Sequence, residues 1–160
     1  MTQTIQISAM RDYLAGHLAD VFDTMLSLKA TVVPAAPLPP FGERVSGSVG
    51  FGGETVTGAV YLHLSAPFAN HVTAAMLGLP PGENPGEADV NDVVGEATNM
   101  LTGGLKSWLC NAGADCAVST PAIIRGTAFA IEPMPDVVQE YLVFDCGGEQ
   151  FVVEFHIKLN

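Results

Sequence analysis

The sequence predicts an α+β fold: a mainly antiparallel sheet of about six strands packed with about three helices. Three observations lead there. Two glycine pairs, Gly52-Gly53 and Gly147-Gly148, each join two β-rich runs in the manner of hairpins. Apolar residues recur at helical spacing in stretches separate from those runs. Strands and helices also fall in blocks instead of alternating, which argues against βαβ units and a parallel sheet.

The elements follow in chain order. Tyr13-Leu14, Leu18, Val21-Phe22 and Met25-Leu26 recur every three to four residues, predicting an amphipathic helix over 9–28. The first eight residues read equally as strand or tail. Lys29 to Val33 is a short β-branched run, and Pro34, Pro37, Pro39 and Pro40 then stop regular structure. Glu43–Phe51 and Thr55–Leu64 form the first hairpin, its Gly52-Gly53 turn suited to the positive φ of a tight connection. Ser65 can cap a helix that carries Pro67 in its first turn and runs to about Leu77. LPPGENPGEA is a loop by composition, and a longer helix follows over 88–110. The remaining strands are 122–131, 137–144 and 150–159. In the last, Phe151, Val153, Phe155, Ile157 and Leu159 alternate with Val152, Glu154, His156 and Lys158, which predicts one buried and one wet face.

Composition narrows the function classes. At 160 residues the chain is long enough for one domain with a substantial core, read as a single domain over 1–160. Six Lys+Arg against seventeen Asp+Glu give a net charge of -11, which argues against nucleic acid or an anionic membrane as partner. Mean hydropathy is +0.33, yet no stretch approaches the roughly 18 apolar residues that span a bilayer. MTQTIQISAMRDYL lacks a basic region followed by an apolar run, so no secretory signal is expected and a cytoplasmic protein is. Cys110, Cys116 and Cys146 form no CxxC pair and read as buried reduced thiols. His17, His63, His71 and His156 lack metal-site spacing, so no metal of the protein's own is expected. The glycines between 47 and 53 complete neither GxGxxG nor a GK[ST] ending, which sets a phosphate-binding loop aside.

The 88–110 helix carries the functional argument. At 100° per residue, Val90, Val93, Val94, Ala97, Leu101, Leu105 and Trp108 share a stripe of roughly 120°, the core face. Asp92, Glu96, Asn99, Gly103 and Lys106 lie within roughly 80° on the opposite side. A solvated face accounts for the acids and Lys106 without any function. It does not account for Asn99 and Gly103, each roughly 0.5–1 kcal/mol worse than Ala inside a helix. Glycine lets a partner approach closely, and an amide both donates and accepts. A docking ridge and a plain solvated face are the two readings these residues leave open.

The pattern D92-VVG-E96-AT-N99-MLT-G103 resembles the signature helix of the CheC/CheX chemotaxis phosphatases, Asp/Ser-xxx-Glu-xx-Asn, followed some twenty residues later by a proline. Pro121 in STPAIIRG suits that place. VFDTML with its short strand, the GSVGFGGETVTGAVYLHL hairpin and the order of later elements extend the resemblance to a CheX-type domain over nearly the whole chain.

The resemblance implies a phosphatase acting on the aspartyl phosphate of a CheY-like response regulator. Such a reaction asks for an aligned water and stabilised charge, with little covalent work by the protein. Asn99 would orient the attacking water, and Glu96 would pair with the regulator's active-site lysine. Mg2+ would belong to the regulator. Asp92 would serve helix N-terminal electrostatics or docking, Gly103 clearance, Lys106 docking, and Pro121 the shape of a neighbouring loop. The single motif resembles CheX, where CheC-type proteins commonly carry two, and a homodimer is implied. Two alternatives stand beside it. One is a non-catalytic module that binds a regulator, as in flagellar switch components. The other is a small-molecule binder with a deep pocket near residues 47–58.

Overall fold

A computed structural model describes residues 5–160. Helix α1 (Ile7–Leu26) buries Leu14, Leu18, Val21, Phe22 and Leu26 of the predicted stripe and adds Met10, while Tyr13 and Met25 are half-buried. It begins two residues earlier than the periodicity suggests, so residues 7 and 8 are helical, while 1–4 lie outside the described residues. Ser27 closes it in the left-handed region (φ 53), with its amide on Asp23 O and the Leu28 amide on Phe22 O. The predicted run 29–33 is a strand only at β1 (Thr31–Val32).

The hairpin of β2 (Glu43–Gly52) and β3 (Val56–Ser65) is paired from Arg44↔Ser65 to Gly52↔Thr57. Its turn differs from the expectation, since neither Gly52 nor Gly53 has positive φ. Gly53 instead donates its amide to Val56 O (2.8 Å), and a Cβ there would lie 2.0 Å from the Asp115 carbonyl oxygen. The pair thus serves close backbone approach, with Gly52 still in the strand. Helix α2 (Ala66–Leu77) starts as its sequence predicts, with Ser65 Oγ accepting from the Phe68 amide at 3.2 Å.

Helix α3 (Glu87–Asn111) is followed by β4 (Ala117–Val118), a two-residue strand that raises the count to seven. β5 (Ala122–Thr127) ends four residues before its predicted limit, where Ala128 turns to φ 55. β6 (Val138–Cys146) and β7 (Glu149–Leu159) are joined by Gly147 and Gly148 at φ 59 and 90, as a tight hairpin turn requires. All pairings are antiparallel, in the order β1-β6-β7-β3-β2-β4, with β5 also on β2. The expected α+β class stands.

Between the helices and the sheet, Phe151 stacks on Phe22, Phe68 and Phe144 with centroids 4.7–5.4 Å apart. The second face of β7 departs from prediction: residues 151–157 are all buried, including Val152, Glu154 and His156. Chain from elsewhere covers it. Arg44 lies between Phe41 and Phe129, with its Cζ 3.7 Å from the Phe129 centroid, and Gln139 Nε2 donates to Ile131 O. Beneath this cover His63 Nε2 donates to Glu154 Oε1 (2.8 Å). Gln139 and His156 donate to Glu154 Oε2 (2.7 and 2.5 Å), and Ser46 Oγ sits 2.6 Å from His63 Nδ1. Burial pushes the Glu154 carboxyl up, but the bonds from His63, Gln139 and His156 outweigh it and hold it below its ordinary value. The cysteines are free, yet only Cys146 is fully buried, with Cys110 and Cys116 half-buried near the end of α3. No helix among the described residues is long and apolar enough to cross a membrane.

Candidate functional site on the outer ridge of α3

Helix α3 is held on three sides, and its fourth is the site. Val90, Val93, Val94, Ala97, Leu101 and Leu105 are buried as the wheel predicts. Trp108 is a correction: it is half-buried, and Leu109 takes the deep position while the indole stacks on Tyr13 with centroids 6.0 Å apart. The buried face is also wider than the apolar stripe. Gly95, Thr98 and Thr102 are buried, and the two hydroxyls donate to the carbonyls four residues back at 2.7 Å. Gly47 of β2 makes this possible, since a Cβ there would fall 2.0 Å from Thr98 Oγ1. The helix therefore lies directly on the sheet backbone next to Asn99.

The ridge comes together where the spacing puts it. Asp92 and Glu96 are exposed, while Asn99, Gly103 and Lys106 are half-buried. Glu96 and Asn99, three residues apart, are neighbours on one face. Around Gly103 a Cβ would meet nothing within 4 Å, so the helix surface is open there. Glu87 and Asp89 occupy the first turn, leaving Asp92 beyond the reach of the helix terminus.

Tertiary folding adds a cleft beside the ridge. Its volume is about 450 Å³, and Asn91, Asp92, Gly95, Glu96, Pro121 and Ile123 line it. Pro121 is exposed and packs against Gly95, where a Cβ would stand 3.6 Å from the proline Cγ. It is thus a wall of the site itself. Arg125, two residues beyond Ile123 on β5, donates from Nη2 to Asn91 Oδ1 (2.6 Å) and has Nε 3.7 Å from Glu87 Oε1. Asp92, Glu96 and Asn99 take part in no side-chain bond among the described residues; Asp92 and Glu96 are exposed and Asn99 is half-buried. Sequence reasoning missed Asn91, Gly95, Ile123 and Arg125. Gly95 and Asn91 lie one step around the wheel from the ridge, and Ile123 and Arg125 alternate after Pro121, but only packing brings the two series together.

A larger groove of about 770 Å³ lies between α2 and the 82–85 loop, lined by Asn70, His71, Glu43 and Glu83 among others. It contains no motif residue and none of 47–58. Its open walls mix apolar residues such as Phe41, Pro67 and Pro85 with the polar ones and set no pair of reacting groups together, whereas the ridge sets a carboxylate and a carboxamide side by side.

Comparisons with known proteins show the family and the fold. A family model described as chemotaxis phosphatase CheX matches residues 45–154, a span that takes in the whole ridge and Pro121. The chemotaxis protein CheX from Vibrio vulnificus is 26% identical and superposes with a TM-score of 0.80, covering 97% of this chain and 100% of that one. CheX from Desulfovibrio desulfuricans is 24% identical at a TM-score of 0.78, with 94% and 99% covered. A Borrelia burgdorferi complex of CheX with CheY, BeF3 and Mg2+ gives 18% and 0.69, with 93% and 97% covered. No curated protein sequence matches the chain.

Proposed function

Because the chain belongs to the CheX family of chemotaxis phosphatases, we propose that it removes the phosphoryl group from the aspartyl phosphate of a CheY-like response regulator. The observation that carries this reading is the Glu96–Asn99 pair on the outer ridge of α3, with neither side chain engaged among the described residues and with open space at Gly103.

The chemistry asks for placement. A water attacks phosphorus in line with the bond to the regulator's aspartate. That bond breaks, the aspartate leaves as carboxylate, and inorganic phosphate is released. Asn99, entering the regulator's site, accepts a hydrogen bond from the water through Oδ1 and donates one from Nδ2 to the phosphoryl group, which fixes the direction of attack. Glu96 pairs with the regulator's active-site lysine and sets the docking angle. Asp92, Lys106 and the Pro121 wall extend the contact on either side, and Gly103 admits the partner's surface. Mg2+ is a ligand of the regulator and neutralises phosphoryl charge there. The resemblance also supports a cytoplasmic homodimer, the dimer being open to light scattering on the purified protein.

Loss of phosphate from a phosphorylated CheY-like regulator, measured with Mg2+ and with or without the protein, tests the proposal. A hundredfold acceleration corresponds to about 2.7 kcal/mol, within the range of one positioned dipole. Asn99→Ala abolishes most of it while binding to the beryllofluoride-loaded regulator persists. Binding without acceleration by the wild type overturns the enzymatic reading in favour of a regulator-binding module.

A further inference from the structure

The stretch of α3 that carries Asn99 is poorly suited to helix. Thr98 and Thr102 turn their hydroxyls back onto Val94 O and Thr98 O, a bonding that competes with the backbone ladder and bends helices. Gly103 and Gly104 follow, two residues that loosen a helix interior. A catalytic carboxamide placed here needs support from outside the helix.

The two glycines have different surroundings. At Gly103 a Cβ would meet nothing within 4 Å, whereas at Gly104 it would lie 2.0 Å from Nε2 of His17. His17 reaches across from α1, and its Nε2 stands 3.0 Å from the carbonyl oxygen of Met100, the residue after Asn99. A carbonyl only accepts, so Nε2 carries the proton and donates. In a helix that carbonyl also takes the amide four residues on, and its second lone pair serves His17. Tyr13 stacks on the imidazole (5.6 Å, 13°) and on Trp108 (6.0 Å, 26°), so a ladder of three rings runs along the α1–α3 seam to this carbonyl. Met100 and Gly104 lie about 100° and 140° around the helix from Asn99, so His17 stands beside the docking ridge, off its centre line.

We infer that His17 is a positioning residue for the phosphatase reaction: through Met100 O it holds the loose Asn99–Gly104 segment in register, and Gly104 is glycine to admit the imidazole. The inference rests on the function proposed above and deepens it. His17 touches no reacting atom. It narrows the range of orientations that Asn99 offers to the water, an effect on rate and not on docking.

The test follows loss of label from a purified, radiolabelled phosphoregulator with Mg2+, over a range of regulator concentrations. His17→Ala lowers kcat by about three- to tenfold, the scale of one neutral hydrogen bond, with KM within about twofold of wild type. His17→Gln, whose amide can still donate to Met100 O, recovers most of the rate. Gly104→Ala evicts the imidazole and lowers kcat by a similar factor even though alanine is the better helix former. The double variant His17→Ala/Gly104→Ala is no slower than either single one, because both remove the same bond. A wild-type kcat in His17→Ala or in Gly104→Ala overturns the inference. So does a change confined to KM, a failure of glutamine to rescue, or losses that multiply in the double variant. Should His17→Ala melt below the assay temperature, His17→Gln and Gly104→Ala decide the matter by the same criteria. An inactive wild type overturns the phosphatase reading and the inference with it, whereas an active wild type with unresponsive variants overturns the inference alone.

Discussion

Replacing Glu154 by leucine takes one buried acceptor away from three donors, the buried His63 and His156 and the half-buried Gln139. In the native protein Oε1 accepts from His63 Nε2 at 2.8 Å, and Oε2 from His156 Nε2 at 2.5 Å and Gln139 Nε2 at 2.7 Å. Glu154 is 3% exposed, so water does not take the lost partner's place. Gln139 Nε2 keeps Tyr141 Oη and Ile131 O, so the two imidazoles are the orphaned donors; at about 1–3 kcal/mol each the cost is about 4 kcal/mol. Glu154→Gln is milder. Its carbonyl oxygen can keep two donors, and His63 can move its proton to Nδ1 so that Nε2 accepts from the new amide. Ser46 Oγ, 2.6 Å from Nδ1, then accepts in turn. What glutamine loses is the charge assistance, about 2 kcal/mol. For a chain of this length about 3 °C of melting temperature accompanies each kcal/mol, so thermal unfolding at pH 7 falls by about 12 °C for leucine and about 6 °C for glutamine. The two variants also differ from wild type in acid. The native Glu154 carboxyl is held below its ordinary value of 4.5. Its contribution is therefore complete above that value and is lost as pH falls through the lower folded pKa. Both substitutions remove this part of the acid destabilisation. A melting temperature within about 3 °C of wild type for leucine would falsify the argument, because it would mean that the second face of the sheet is wet.

Two further substitutions probe the ridge and its support. Gly103→Ala finds open space, so it raises stability by about 0.5–1 kcal/mol in chemical denaturation while weakening affinity for the beryllofluoride-loaded regulator. Unchanged affinity would show that the partner does not approach there. Gly47→Ala places a methyl group 2.0 Å from Thr98 Oγ1 and 3.2 Å from Val94 O, lifting α3 off β2. It costs about 1–3 kcal/mol and slows the phosphatase through the residue next to Asn99, as melting and phosphate release together would record; a normal rate would mean the helix need not sit so close to the sheet.

Much of the site was legible before folding because a helix is a local object. The angular positions of Asp92, Glu96, Asn99, Gly103 and Lys106 follow from 100° per residue, and their outward aim follows from the apolar stripe opposite. The same holds for the Ser65 cap and the Gly147-Gly148 turn, whose chemistry lies within four residues. Gly52-Gly53 failed on the same kind of evidence. A glycine that permits positive φ and one that permits a carbonyl to approach look alike in sequence, and Asp115 is 62 residues beyond Gly53.

By itself the sequence determined the α+β class, the hairpins, the three helices and the ridge with its Glu96–Asn99 pair, since each depends on backbone period and on residues within a turn or two. Only the tertiary structure decided which faces are covered and what stands beside the ridge. Alternation along β7 announces two faces, yet whether the second is wet depends on Phe41, Arg44 and Phe129 folding over it, and no residue of β7 encodes them. Pro121 walls the cleft, and His17 reaches Met100, because sheet and helices bring distant segments within a few ångströms. Local pattern fixes the direction in which a side chain points, and packing fixes what it meets.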